Sequence, residues 1–133
     1  MEKEIERKPL VSQEALVHIY NSLELFVYPT KRKSESLGLT GLEAMACECL
    51  VVGSNLYGPS DYLIGNQNAL TFNPLNEKEL AQKIKEALKM KEEDKKKLTS
   101  AARKKALEYS EEQTKDILIK VFKKKRTKGN LKN

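Results

Sequence analysis

Tryptophan is absent, histidine occurs once and cysteine twice, and aromatic residues make up only 6% of the 133. Each scarcity closes off a class of function. With so few stacking rings, a nucleic-acid surface that interleaves aromatics with lysine and arginine ranks last, even at a net charge of +6. The lone His18 lies two residues from Tyr20 in an expected helix, with no serine or cysteine nucleophile at a readable spacing. It reads as structural and not as part of a nucleophilic triad. Cys47 and Cys49 are one residue apart where a helix gives way to a strand, which suits neither an ordinary disulfide nor a zinc pair. They read as reduced and buried. The acids do not cluster as metal ligands do, and no signal sets Glu24 or Asp61 at a working distance from Glu43, so a glycosidase carboxylate pair is a poor reading.

Long hydrophobic runs are missing as well. No segment approaches the roughly 20 apolar residues that span a bilayer, and the charged opening Met1-Glu2-Lys3-Glu4-Ile5-Glu6-Arg7 is unlike a signal sequence. The expected location is cytoplasmic or peripheral to the inner face of a membrane. A length of 133 residues suits one domain. Residues 1–126 are expected to form it and 127–133 a basic, disordered tail. Much of the positive charge sits in Lys123-Lys124-Lys125-Arg126-Thr127-Lys128. Such a run attracts anionic lipid or nucleic acid over long range, although a solvated helix end is the plainer reading.

What is present reads as alternating helices and strands. Ser12 caps a helix whose Leu16, Ile19, Tyr20 and Leu23 define a buried face. Leu25-Phe26-Val27-Tyr28 is a short buried strand stopped by Pro29, and a polar loop follows. A helix over about Leu39 to Cys47, a strand at Leu50 to Gly53, a helical turn at Ser60 to Ile64 and a strand at Ala69 to Phe72 come next. Beyond Pro74 the pattern is helical: Asn76 and Glu79 stand in capping-box positions, with Leu80, Ile84, Ala87 and Leu88 on one side. A lysine-rich helix from Glu92 to Tyr109 carries the seam Leu98, Ala101, Ala102 and Ala106. Ser110 and Gln113 open a last helix whose Ile117, Leu118, Val121 and Phe122 face inward. The expected fold is α/β: a partial Rossmann-like parallel sheet of three to four strands, the fourth an edge from Ile5 to Pro9, with helices on both faces and a helical C-terminal extension.

The chemistry concentrates in Glu35-Ser36-Leu37-Gly38-Leu39-Thr40-Gly41-Leu42-Glu43-Ala44-Met45-Ala46-Cys47. Open parallel sheets bind ligands outside the carboxyl ends of their strands, and the loop after Tyr28 is such a place. Gly38 permits close backbone approach. The amides of Leu39, Thr40 and Gly41 at the helix start attract phosphate, and the Thr40 hydroxyl adds a donor. Carboxylates suit sugar hydroxyls, so Glu35 and Glu43 would hold different hydroxyl-bearing parts of one ligand. Spacing alone leaves an equal alternative, in which Gly38 merely turns the chain and both acids are solvated.

Residues 35–53, and more loosely 10–122, resemble the C-terminal half of the nucleotide-binding domain of GT-B glycosyltransferases. The resemblance is to the retaining glycosyl transferases group 1 family, with its two glutamates separated by seven residues. The helix Leu42-Glu43-Ala44-Met45-Ala46-Cys47, the strand end Tyr28-Pro29-Thr30 and the helix entry Tyr109-Ser110-Glu111-Glu112-Gln113 carry it. The resemblance implies that Glu35 contacts the donor sugar, that Gly38, Leu39 and Thr40 present amides to the diphosphate, and that Glu43 holds the ribose. These are binding roles, with no catalytic residue, metal or cofactor implied. The loop Tyr57-Gly58-Pro59 lies where the family has another donor-side turn. One departure is Glu48-Cys49-Leu50, where the family usually has a Gly-x-Pro turn.

The implied function is donor binding, of a UDP- or GDP-sugar, in hexosyl transfer for polysaccharide or glycolipid assembly. Complete family members are much longer, with two Rossmann-like domains and the active site between them. The acceptor domain and the first strands of the donor domain, with the Arg and Lys that neutralise the leaving diphosphate, have no counterpart here; Lys31, Arg32 and Lys33 are the nearby cations. The chain alone is thus expected to be weak or inactive, acting with a missing N-terminal half or with a second copy across the sheet edge. The alternative is a non-catalytic module that docks on a full-length transferase through its helical C-terminus. Nucleotide-sugar binding separates these two readings, and steep salt dependence would favour nucleic acid.

Overall fold

The computed structural model describes residues 5–34 and 37–130. In chain order it contains α1 (Gln13–Ser22), β1 (Leu25–Tyr28), α2 (Leu39–Ala46), β2 (Leu50–Ser54), a 3-10 turn (Gly58–Asp61) and β3 (Leu70–Phe72). The helices α3 (Glu77–Lys89), α4 (Glu92–Leu107) and α5 (Glu111–Asn130) follow. The three strands form one parallel sheet in the order β1-β2-β3. Leu25 to Tyr28 pair with Leu50 to Gly53, and Val52 to Ser54 pair with Leu70 to Phe72.

β2 is buried along its whole length, and its side chains alternate between two cores. Val51 packs on one face with Tyr20, Leu42, Met45, Tyr62 and Ala102. Leu50 and Val52 pack on the other with Leu70, Phe72, Ala87 and Leu98, flanked by Leu80 and Ile84. This period of two is what a central parallel strand with helices on both faces requires. α4 serves both cores, with Ala102 and Ala106 on one side and Leu98 on the other.

Local chemistry sets the element ends. The Ser12 hydroxyl accepts from the Ala15 amide at 3.2 Å, and the Asn76 side chain accepts from Glu79 at 3.2 Å. Glu79 itself accepts from the Asn73 amide at 3.2 Å and does not close the box on Asn76. α2 ends in a Schellman arrangement: Glu48 N–H donates to Met45 and Cys49 N–H to Ala44, both at 3.0 Å. Glu48, at φ 57, takes the left-handed position that glycine usually fills. The Arg103 guanidinium donates to the Ala46 carbonyl at 3.0 Å, capping the same helix end from α4.

Several expectations need correction. Ile5 to Pro9 is exposed and forms no strand, so the sheet has three strands among the described residues. β1, one of the two edge strands, is half-buried along its length rather than buried. The helical turn near Ser60 comes earlier than read from sequence, at Gly58–Asp61. Leu23 and Leu88 are exposed; Leu23 serves α1 through its backbone, which donates to the Tyr20 carbonyl at 3.2 Å. Cys47 is only half-buried.

The largest departure is α5, whose Ile117, Leu118, Val121 and Phe122 are exposed, Phe122 by 67%. Both sheet faces are already covered by α1, α2, α3 and α4, which leaves this helix no core to enter. α5 also runs on through Asn130, into the segment expected to be a tail, while 131–133 lie outside the described residues.

Candidate functional site at the carboxyl ends of β1 and β2

The turn that opens α2 is built around two glycines and two phenols. Gly38 is buried at φ 81, and a Cβ there would stand 2.7 Å from the Tyr28 hydroxyl and 3.2 Å from that of Tyr62. Gly41, one turn on, has the Tyr62 hydroxyl 2.3 Å from where its Cβ would be. Glycine inside a helix costs about 1 kcal/mol relative to alanine. Here it lets the helix start lie directly on the Tyr62 ring. That phenol donates to the Gly38 carbonyl at 2.6 Å, fixing the turn's geometry from below.

Tyr62 is in turn held edge-on by Tyr109, with ring centroids 6.1 Å apart at 68°. The Gly41 amide also donates to the Gly38 carbonyl, at 3.2 Å. Of the three amides expected to meet phosphate, that of Gly41 is therefore engaged within the turn. Leu39 and Thr40, as the first two helical residues, have amides with no acceptor inside the helix, and both residues are exposed. They are placed to donate to an anion, with the positive end of the helix dipole behind them.

Glu43 lies four residues beyond Leu39, on the same face of α2, and is half-buried. Its Oε2 accepts from the Tyr20 hydroxyl at 3.1 Å. Glu43, Tyr20, Gln13, Leu16, Val17, Ala46 and Cys47 line a cleft of about 150 Å³ between α1 and α2. Burial, then the hydrogen bond and charge of Glu43, push the Tyr20 phenol far above its ordinary range, so it stays a donor. Burial likewise raises the Cys47 thiol, against the pull of Arg103, which keeps it un-ionised at neutral pH. Glu35, the other expected sugar contact, lies outside the described residues.

The structure thus places Gly38, Leu39 and Thr40 at the start of α2, beyond the carboxyl end of β1, with Glu43 one turn further into the helix and turned toward Tyr20 of α1. Lys31, Arg32 and Lys33 are exposed in the loop that leaves that strand. Sequence reasoning missed Tyr20, Tyr28 and Tyr62. One signal was available: two glycines three residues apart at a helix start mark a close approach by something bulky. Nothing local indicated that the intruder comes from residue 62. Among the described residues no group of His, Cys, Asp and Glu is arranged to hold a metal ion.

A three-stranded parallel sheet with helices on both faces matches the Rossmann-like fold of the C-terminal part of GT-B glycosyltransferases. The model of the family Glycosyl transferases group 1 matches residues 2–105, and the chain belongs to that family.

Among solved structures it is similar to a glycosyltransferase from Rickettsia africae, with 23% identity and a TM-score of 0.73 over 80% of this chain and 28% of that one. It is similar to a sucrose-phosphate synthase from Thermosynechococcus elongatus, with 24% identity and a TM-score of 0.70 over 84% of this chain and 29% of that one. It also resembles the C-terminal domain of a glycosyl transferase group 1 family protein (LpcC) from Francisella tularensis, with 18% identity and a TM-score of 0.63 over 76% of this chain and 50% of that one. The chain therefore spans less than a third of the first two structures. No curated protein matches it in sequence.

Proposed function

We propose that this chain is the donor-binding part of a retaining glycosyltransferase and takes a nucleotide-diphospho-sugar. The observation that carries this reading is the left-handed Gly38, which turns the chain so that the Leu39 and Thr40 amides face out at the carboxyl end of β1, with Glu43 one turn behind. In this reading the amides and the Thr40 hydroxyl hold the diphosphate, and Glu43 accepts from the ribose hydroxyls. Glu35 takes the sugar, as the family resemblance implies. The chemical step needs positive charge at the departing diphosphate. Lys31, Arg32 and Lys33 are the cations nearest in sequence, and the isolated chain is expected to transfer sugar weakly or not at all. The acceptor belongs to polysaccharide or glycolipid assembly at the cytoplasmic side of a membrane.

Calorimetric titration with UDP, GDP and their sugar conjugates tests the proposal. Saturable binding that Glu43→Ala weakens about 10- to 100-fold is expected, the range for losing hydrogen bonds to a charged group. Absence of binding at millimolar ligand would overturn it.

A further inference from the structure

Glu43 is the one site acid whose surroundings are described, and its side chain is anchored. We infer that Tyr20 is a positioning residue that holds the Glu43 carboxylate by one oxygen and leaves the other for the ligand, an inference that rests on the donor-site reading above.

The donor is fixed more firmly than the acceptor. Tyr20 is only 4% exposed. Its ring meets Phe26 of β1 edge-on, with centroids 5.6 Å apart at 77°. Its backbone carbonyl accepts from the Cys49 thiol at 2.9 Å and from the Leu23 amide at 3.2 Å. Phe26 of β1 and the thiol of Cys49, just before β2, therefore hold Tyr20 by ring and backbone, and its phenol meets Oε2 of Glu43 at 3.1 Å. Oε1 has no partner among the described residues.

A glutamate on a half-exposed helical face otherwise samples many rotamers, and a ligand that orders it loses affinity to that ordering. The tether removes most of this cost before binding. Leu16, Val17 and Ala46 line the same cleft beside the bond, which is itself part-buried. The ligand group that fits is a neutral hydroxyl pair, such as the diol of a nucleotide ribose. A second anion would be repelled.

The test compares wild type, Tyr20→Phe, Glu43→Ala and the double variant by calorimetry, with UDP and inorganic pyrophosphate as probes. Tyr20→Phe keeps the ring and its packing on Phe26. It is expected to weaken UDP about three- to tenfold, the range of one hydrogen bond, to leave pyrophosphate unchanged, and to have no further effect beside Glu43→Ala. Equal loss for both probes, or none for UDP, overturns the inference. If wild type binds neither UDP nor GDP, the donor-site reading fails on its own terms, and side-chain relaxation of Glu43 decides the tether. Its order is expected to fall in Tyr20→Phe, and unchanged order overturns the tether. Should Tyr20→Phe not fold, Glu43→Gln replaces it in the relaxation measurement. The amide oxygen still accepts from Tyr20, so order stays at the wild-type level, and a fall to that of an exposed glutamine overturns the inference.

Discussion

Glu48 shows how a single residue can be placed against its own preference. It sits at φ 57 two residues past the end of α2, just after the Cys47 cap, where a left-handed backbone costs a side-chain-bearing residue roughly 1–2 kcal/mol. Glycine would remove that strain but would lose more freedom on folding, which offsets roughly 0.4–1 kcal/mol. Glu48→Gly is therefore expected to stabilise the chain by about 0.5–1 kcal/mol, seen as a higher urea midpoint at unchanged slope. A midpoint that stays put would mean the strain is relieved elsewhere.

Cys49 lies buried just before β2. Burial, with the neighbouring Cys47 adding to it, pushes its thiol up from 9.0 to about 11. Between those values the unfolded chain has released the proton and the folded chain still holds it, so stability falls as pH rises. The contribution is intact below pH 9 and is lost through pH 11, about 2–3 kcal/mol in all. Cys49→Ser should make that fall shallower without abolishing it, because the Tyr20 phenol is shifted in the same direction. An unchanged pH profile by urea unfolding would rule out Cys49 as a source.

At the scale of elements, periodicity and packing part company in α5. Spacing correctly groups Ile117, Leu118, Val121 and Phe122 on adjoining parts of one helix, but all four are exposed. A period reports which face is apolar, and coverage depends on what the rest of the fold leaves open. Replacing Ile117 and Phe122 with lysine is accordingly expected to shift stability by no more than about 0.5 kcal/mol. Met45→Ala, at a fully buried α2 position against Val51 and Tyr62, is expected to lose about 2–5 kcal/mol. Comparable losses from both would place α5 in the core after all. The caps at Ser12, Asn76 and Ser110 were legible in advance because each bond spans only three residues.

The whole molecule is a half-sheet. β1 is an edge strand with β2 on one side only, and its residues are just half-buried. Exposed parallel edges are templates for pairing, and α5 adds five exposed large apolar side chains, Ile117 to Ile119 with Val121 and Phe122. Self-association that grows with concentration is expected of the isolated chain, by gel filtration with light scattering. A clean monomer at high concentration would show that edge and helix are adequately shielded by their own charges.

Local sequence set the alternation of elements, the helix starts and the segment that opens α2. Each depends on residues close in the chain: a hydroxyl or amide cap, a period of two or of 3.6, a glycine where the backbone must turn. It also carried the family signature through Leu42-Glu43-Ala44-Met45-Ala46-Cys47. The packed fold was needed to show that Tyr62 holds the Gly38 turn from 24 residues away and that Tyr20 tethers Glu43 from 23 away. It alone showed that the apolar face of α5 stays open. Those outcomes depend on which surfaces meet when both faces of a three-stranded sheet fill, and that competition for space is settled between elements rather than within them.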